Sequence, residues 1–213
     1  MSIRLRLFII FLGALVVAAV WTFPLWQSIT IREETITTFP GLDVTQQAVF
    51  DTFSPEQRES YNDLLETNPA LASVLAQAAT SGDVVVPEAD QALPDLADPN
   101  VVGIGTFTTI DPILGAEGTA TILQAADNRR YIRLENFRVT NAPDLRLILT
   151  RRSEPRTVED VGNDYVDLGL LRGNVGDQTI PMPREVDLLT YRAVVIYSVT
   201  FSTVFSSAEI TLR

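Results

Sequence analysis

Three residue types that carry much of protein chemistry are missing from these 213 residues: cysteine, histidine and, because all 16 basic residues are arginine, lysine. Their absence excludes Ser-His-Asp and Cys-His nucleophile activation, thiolate or imidazole zinc sites, iron–sulfur ligation and disulfides. It also excludes a Schiff base, a pyridoxal phosphate linkage and a P-loop lysine. Positive charge is scarce against 27 acidic residues, and the net charge of −11 argues against nucleic-acid binding, which needs cations to replace phosphate counterions. Carboxylate chemistry, or no catalysis, remains. The length and the 46% hydrophobic content suit one globular domain with additional segments.

Charge is absent from residues 7–31, and residues 7–26 are mostly apolar, enough helix to cross a hydrocarbon core of roughly 30 Å. Arg4 and Arg6 precede this stretch while Glu33 and Glu34 follow it, which predicts a cytoplasmic segment 1–6, a single-pass anchor 7–26 and an extracytoplasmic remainder. Trp21 and Trp26 suit the far interface. A cleaved signal peptide is the rival reading, given the charged start and the small pair Ala18 and Ala19, but apolar residues continue through Trp21, Phe23, Leu25 and Trp26. Residues 27–42 then read as a juxtamembrane stalk, extended or a stray strand.

Over residues 43–82 the pattern becomes helical. Asp43 with Gln46 and Ser54-Pro55 with Gln57 resemble capping boxes, and Asn68-Pro69 gives a third start. Apolar positions Val44/Ala48, Tyr61/Leu64/Leu65 and Leu71/Val74/Leu75/Ala78 recur at helical spacing, and Gly82 closes the last helix. These faces could dock a partner helix; packing on one another or on the following domain is the favoured reading. Residues 83–100 carry Pro87, Pro94 and Pro99 among acidic residues and read as an extended, solvated tether, which places a domain boundary near residue 100.

From residue 101 the period falls to two. Strand-like runs cover 101–108, 118–124, 130–137, 145–151, 165–168, 191–199 and 204–212, which predicts an all-β sandwich over 101–213. The run 191–199 is apolar on both faces and should be a central strand. No glycine-rich phosphate loop leads a strand into a helix.

Residues in this half also form an ordered series of motifs. Asn136-Phe137 is followed by Ala142-Pro143-Asp144-Leu145, then Asp167-Leu168-Gly169, Leu171-Arg172-Gly173-Asn174, Gly176, Gln178 and Pro181, and finally Tyr191, Val194-Val195-Ile196-Tyr197-Ser198, Phe201 and Phe205. Over about residues 103–212 this resembles the DM-thirteen domain, a family described as an electron-transfer module. The resemblance implies an extracytoplasmic β-rich domain, often membrane-anchored, with a proposed redox role for a late cysteine. Here that position is Ser198, preceded by Tyr197 where the family commonly has tryptophan. Ala142, Ser206 and Arg172 also depart from the usual Gly, Gly and Lys.

A serine hydroxyl neither forms disulfides nor passes through sulfenic states, so the family's chemistry has lost its centre. Met182, expected in a loop, is weighed as a haem ligand and favoured as a packing residue; Tyr191 and Tyr197 are likewise favoured as core aromatics over electron relays. Glu159, Asp160, Asp164 and Asp167 could ligate calcium but lack EF-hand spacing, so a solvated loop is favoured. The expectation is therefore a non-enzymatic binding module, without cofactor, metal or nucleic acid, held at the cytoplasmic membrane and contacting an unidentified envelope partner. Electron transfer through a cofactor or partner is the alternative, and carboxylate-dependent hydrolysis a distant third.

Overall fold

A computed structural model of the chain describes residue 3 and residues 12–14, 38–93 and 99–213. The expected anchor, apart from 12–14, and residues 27–37 of the expected stalk lie outside the described residues. Among the described residues no helix is long and apolar enough to cross a membrane.

The predicted helix starts form as the capping chemistry requires. Helix α1 (Val44–Phe50) begins at Asp43, whose side chain accepts from the Gln46 N–H while Gln46 returns the bond. Helix α2 (Pro55–Thr67) repeats this box with Ser54 and Gln57, and α3 (Pro69–Thr80) is capped by Asn68. Gly82, at φ +89°, follows the last turn of α3 in the left-handed conformation that stops a helix. Tyr61, Leu71 and Leu75 are buried as their spacing predicts. The Val44/Ala48 face is a correction: both are exposed, and α1 instead buries Phe50 and Gln47. A phenyl ring outweighs a valine in apolar area. Gln47 is satisfied inside by accepting from the Phe39 N–H at 2.7 Å and donating to Asp51 at 2.7 Å. Phe39, expected within the stalk, is buried against Phe50 with ring centroids 4.7 Å apart.

Two antiparallel five-stranded sheets form the β-sandwich. The first joins β10 (Thr211–Leu212), β1 (Asn100–Thr106), β3 (Ala116–Gln124), β4 (Arg130–Val139) and β7 (Gln178–Met182), in that order. The second joins β2 (Thr108–Thr109), β9 (Thr203–Glu209), β8 (Ala193–Ser198), β5 (Leu145–Thr150) and β6 (Val166–Leu170). Two predicted runs are each split between the sheets: 101–108 becomes β1 and part of β2, and 204–212 becomes most of β9 together with β10. Strand β7 escapes the sequence pattern because Pro181 interrupts it. It is an edge strand, where a missing N–H can be tolerated. Met182 consequently lies in a strand, 5% exposed in the core, and not in a loop.

Strand β8 is central and all six of its residues are buried. Val194 and Ile196 join the main core with Ile122, Ile132, Leu134, Leu147 and Phe205. Ala193, Val195 and Tyr197 face a second, smaller core closed by Val161 of α5 (Val158–Val161) and by Tyr165.

Residues 39–213 form one compact unit, and the main core runs from Phe39, Tyr61 and Leu75 into Phe107, Ile113 and the sheets. The expected tether is corrected over its first part. Val86 is 1% exposed and donates its N–H to Val175 O at 2.8 Å, Asn174 N–H donates to Val84 O at 2.9 Å, and Val85 bridges Val175 in parallel. Helix α4 (Glu88–Gln91) follows, with the Gln91 amide donating to Val86 O at 2.7 Å. Hydrogen bonds to the 171–177 loop dock residues 84–86 while they stay extended, so this part is seated on the sandwich and not solvated.

Candidate functional site

Ser198 ends the central strand with no exposed surface, its hydroxyl donating to Pro143 O at 3.4 Å. The carboxylate of Asp144, beside that carbonyl, accepts from the Thr200 N–H at 3.2 Å and hydroxyl at 2.8 Å. Arg146 closes the cluster on Asp144 at 3.0 Å and Asp167 at 2.7 Å. The Thr200 hydroxyl foremost, against the opposing effect of burial and with further help from the Arg146 guanidinium, holds the Asp144 carboxyl below its usual range. Asp144 sits at φ +55°, a left-handed conformation that a short polar side chain tolerates. This arrangement pins the turn after β8 onto β5 and leaves Ser198 closed to solvent.

A second group of motif residues forms the seat for residues 83–86. Asn174, 2% exposed, accepts the Val84 N–H at 2.6 Å and donates to Asp83 at 2.9 Å and Val139 O at 3.1 Å. Gly173 is required by close approach, since a Cβ there would lie 2.3 Å from Val84 O. Gly176 N–H donates to Phe137 O at 2.9 Å. Asp83 is held below the usual carboxylate range by Asn174 first and then by Arg138, again against burial. Asp144, Gly173 and Asn174 meet around a hollow of about 150 Å³.

Other motif positions are dispersed. Phe137 packs on Phe107 in the core with centroids 5.6 Å apart, Phe205 is fully buried and Phe201 packs at the core margin. The Asn136 N–H donates to Asp177 at 2.8 Å, and Gly169, at φ +107°, donates its N–H to Asp167 at 2.8 Å. Pro181 lies on the β7 edge. Tyr197 points away from Ser198 into the smaller core, 6.1 Å from the Tyr165 ring, and Tyr191 lies under Arg151 and donates to Asp164 at 3.3 Å. Three of the four loop carboxylates weighed for calcium go to different arginines: Asp160 to Arg152, Asp164 to Arg151 and Asp167 to Arg146.

One further feature was not evident from the sequence. A cleft of about 390 Å³ opens between α2 and the sandwich, lined by Phe53 and Tyr61 on the helical side and by Asp111, Glu117 and Arg138 on the β side. Asn141 fixes its margin by donating to Ala78 O at 3.2 Å and Gly82 O at 2.8 Å, satisfying carbonyls at the end of α3. Helical spacing had marked Tyr61 only as core.

Residues 110–210 match the model of the family described as Electron transfer DM13. The match falls on the sandwich and covers the motif series. No curated protein and no solved structure matches the chain.

Proposed function

Starting from a DM13 domain at residues 110–210, we propose that this chain is a membrane-anchored, extracytoplasmic binding module that performs no redox step of its own. Ser198 carries the reading. Its hydroxyl stands where the resemblance places a redox cysteine, lacks that chemistry, and has no exposed surface through which to react. The apolar segment 7–26 behind Arg4 and Arg6 supports the anchor and its orientation. A second reading keeps the architecture and passes electrons through a cofactor or partner; the Tyr165–Tyr197 pair, at 6.1 Å, favours it.

Voltammetry of the purified full chain, with absorbance between about 350 and 700 nm where haem and flavin absorb, separates the two. The module gives neither a reversible wave nor a visible band; either signal supports the second reading and overturns the first. In the same cells, external protease removes the folded domain, whereas a soluble product with its N-terminus near residue 20 would defeat the anchor.

A further inference from the structure

The cleft beside α2 carries chemistry that the buried serine does not use. Asp111 spends one carboxylate oxygen on the N–H groups of Ile113 and Leu114, each at 2.8 Å, and its other oxygen has no hydrogen-bond partner among the described residues. The Glu117 carboxylate, opposite Arg138 in the β3–β4 ladder, has neither hydrogen bond nor ion pair among the described residues, whereas the Arg138 guanidinium is paired with Asp83 at 2.7 Å. Tyr61 is 2% exposed and lines the cleft, yet its hydroxyl has no partner among the described residues. Burial, then the nearby Asp111 charge, pushes that phenol up to about 12, so it stays a neutral O–H donor. The oxygen itself opens to solvent in the cleft, so a ligand acceptor would take the place of water there. An adjoining hollow of about 340 Å³ shares Asp111 and Ile113 and adds Asp63.

Two carboxylates lacking counter-ions repel anions and are too few to replace the oxygen shell of a hard metal ion, for which among the described residues no group of three or more ligands exists. The aromatic wall of Phe53 and Tyr61 instead suits an alkyl stem ending in a delocalised or ammonium charge. An adjacent carbonyl would accept from Tyr61. We propose that the cleft binds an alkyl-borne organic cation, with Asp111 and Glu117 holding the charge, Phe53 and Tyr61 the stem, and the Tyr61 hydroxyl a neighbouring carbonyl. This rests on the binding-module reading and gives it a ligand class: the arginine or lysine side chain of a partner, or a free alkylguanidine or polyamine.

Titration of the full chain with acetyl-Gly-Arg-Gly-amide, its citrulline counterpart and agmatine tests the assignment, read by calorimetry or by chemical shifts. The arginine peptide should bind at least about fivefold more tightly than the uncharged citrulline peptide. Asp111→Asn and Glu117→Gln should each weaken it about five- to tenfold, and Tyr61→Phe about threefold. Asparagine can still accept from Ile113 and Leu114, so the turn survives the loss of charge. Tighter binding of the peptide than of agmatine assigns a protein partner; the reverse assigns a free cation. No binding, equal binding of the citrulline peptide, or equal weakening by the remote Glu154→Gln variant overturns the proposal. A redox wave would remove the module reading and leave a positive titration standing, whereas a failed titration removes this site alone.

Discussion

Burial decides what a hydroxyl or a thiol at position 198 can do. The native contact to Pro143 O is long, 3.4 Å, and Val194 and Ile196 share its face of the strand, with the Asp144 cluster lying beyond that carbonyl. Ser198→Cys should therefore change unfolding free energy by less than about 1 kcal/mol, the range of near-isosteric core exchanges. The new thiol should resist a thiol reagent in the native protein and react on unfolding, as a labelling time course in denaturant reads; immediate native labelling would contradict the closed environment. Asp144 is the opposite case, a charged residue fixed by geometry. Asp144→Asn keeps an acceptor and tolerance of φ +55°, so it should cost about 1 kcal/mol, whereas Asp144→Ala should cost about 2 or more by losing both. The lowered folded-state value means that the stabilisation from Asp144 is complete above the ordinary 3.8 and is lost as pH falls through that lower value. Denaturant midpoints between about pH 5 and 2 should fall less steeply for Asp144→Asn than for the natural protein.

Among the elements, the segment entering the sandwich departs furthest from its local pattern. Prolines and acidic residues over 83–100 favour extension, and extension is what allows Val84, Val85 and Val86 to lie against the 173–176 backbone. Removing it would leave Asn174 with unsatisfied polar atoms and uncover Val86 contacts, and removing the helices would expose the apolar end formed by Phe107 and Ile113. A fragment of residues 39–213 should unfold in one cooperative transition, and a fragment of residues 100–213 should be less stable by several kcal/mol. Thermal and denaturant melts followed by circular dichroism check this; equal midpoints would mean that the helices and residues 83–86 contribute nothing to the sandwich.

For the whole molecule, what local chemistry dictated and what packing dictated separate cleanly. Asp43, Ser54 and Asn68 cap helices wherever those helices go, because a cap bonds atoms only three residues away. Alternation likewise marked most strands, and the two apolar faces of residues 193–198 marked the centre of a sheet. The motif series pointed to the family whose model matches residues 110–210, and missing Cys, His and Lys had already closed whole chemistries. Pairing across distance left no such signature. The division of residues 101–108 and 204–212 between two sheets follows from which edges are open, and the acceptance of Pro181 follows from β7 being one of them. The seating of Val86 depends on a loop about ninety residues away, as the Asn174 bonds to Asp83 and Val84 show. The cleft needs Tyr61 from a helix and Asp111 and Glu117 from the sandwich, and only packing brings those groups together. Caps and alternation act through neighbours along the chain, whereas sites and edges arise from contacts whose partners the chain order does not specify.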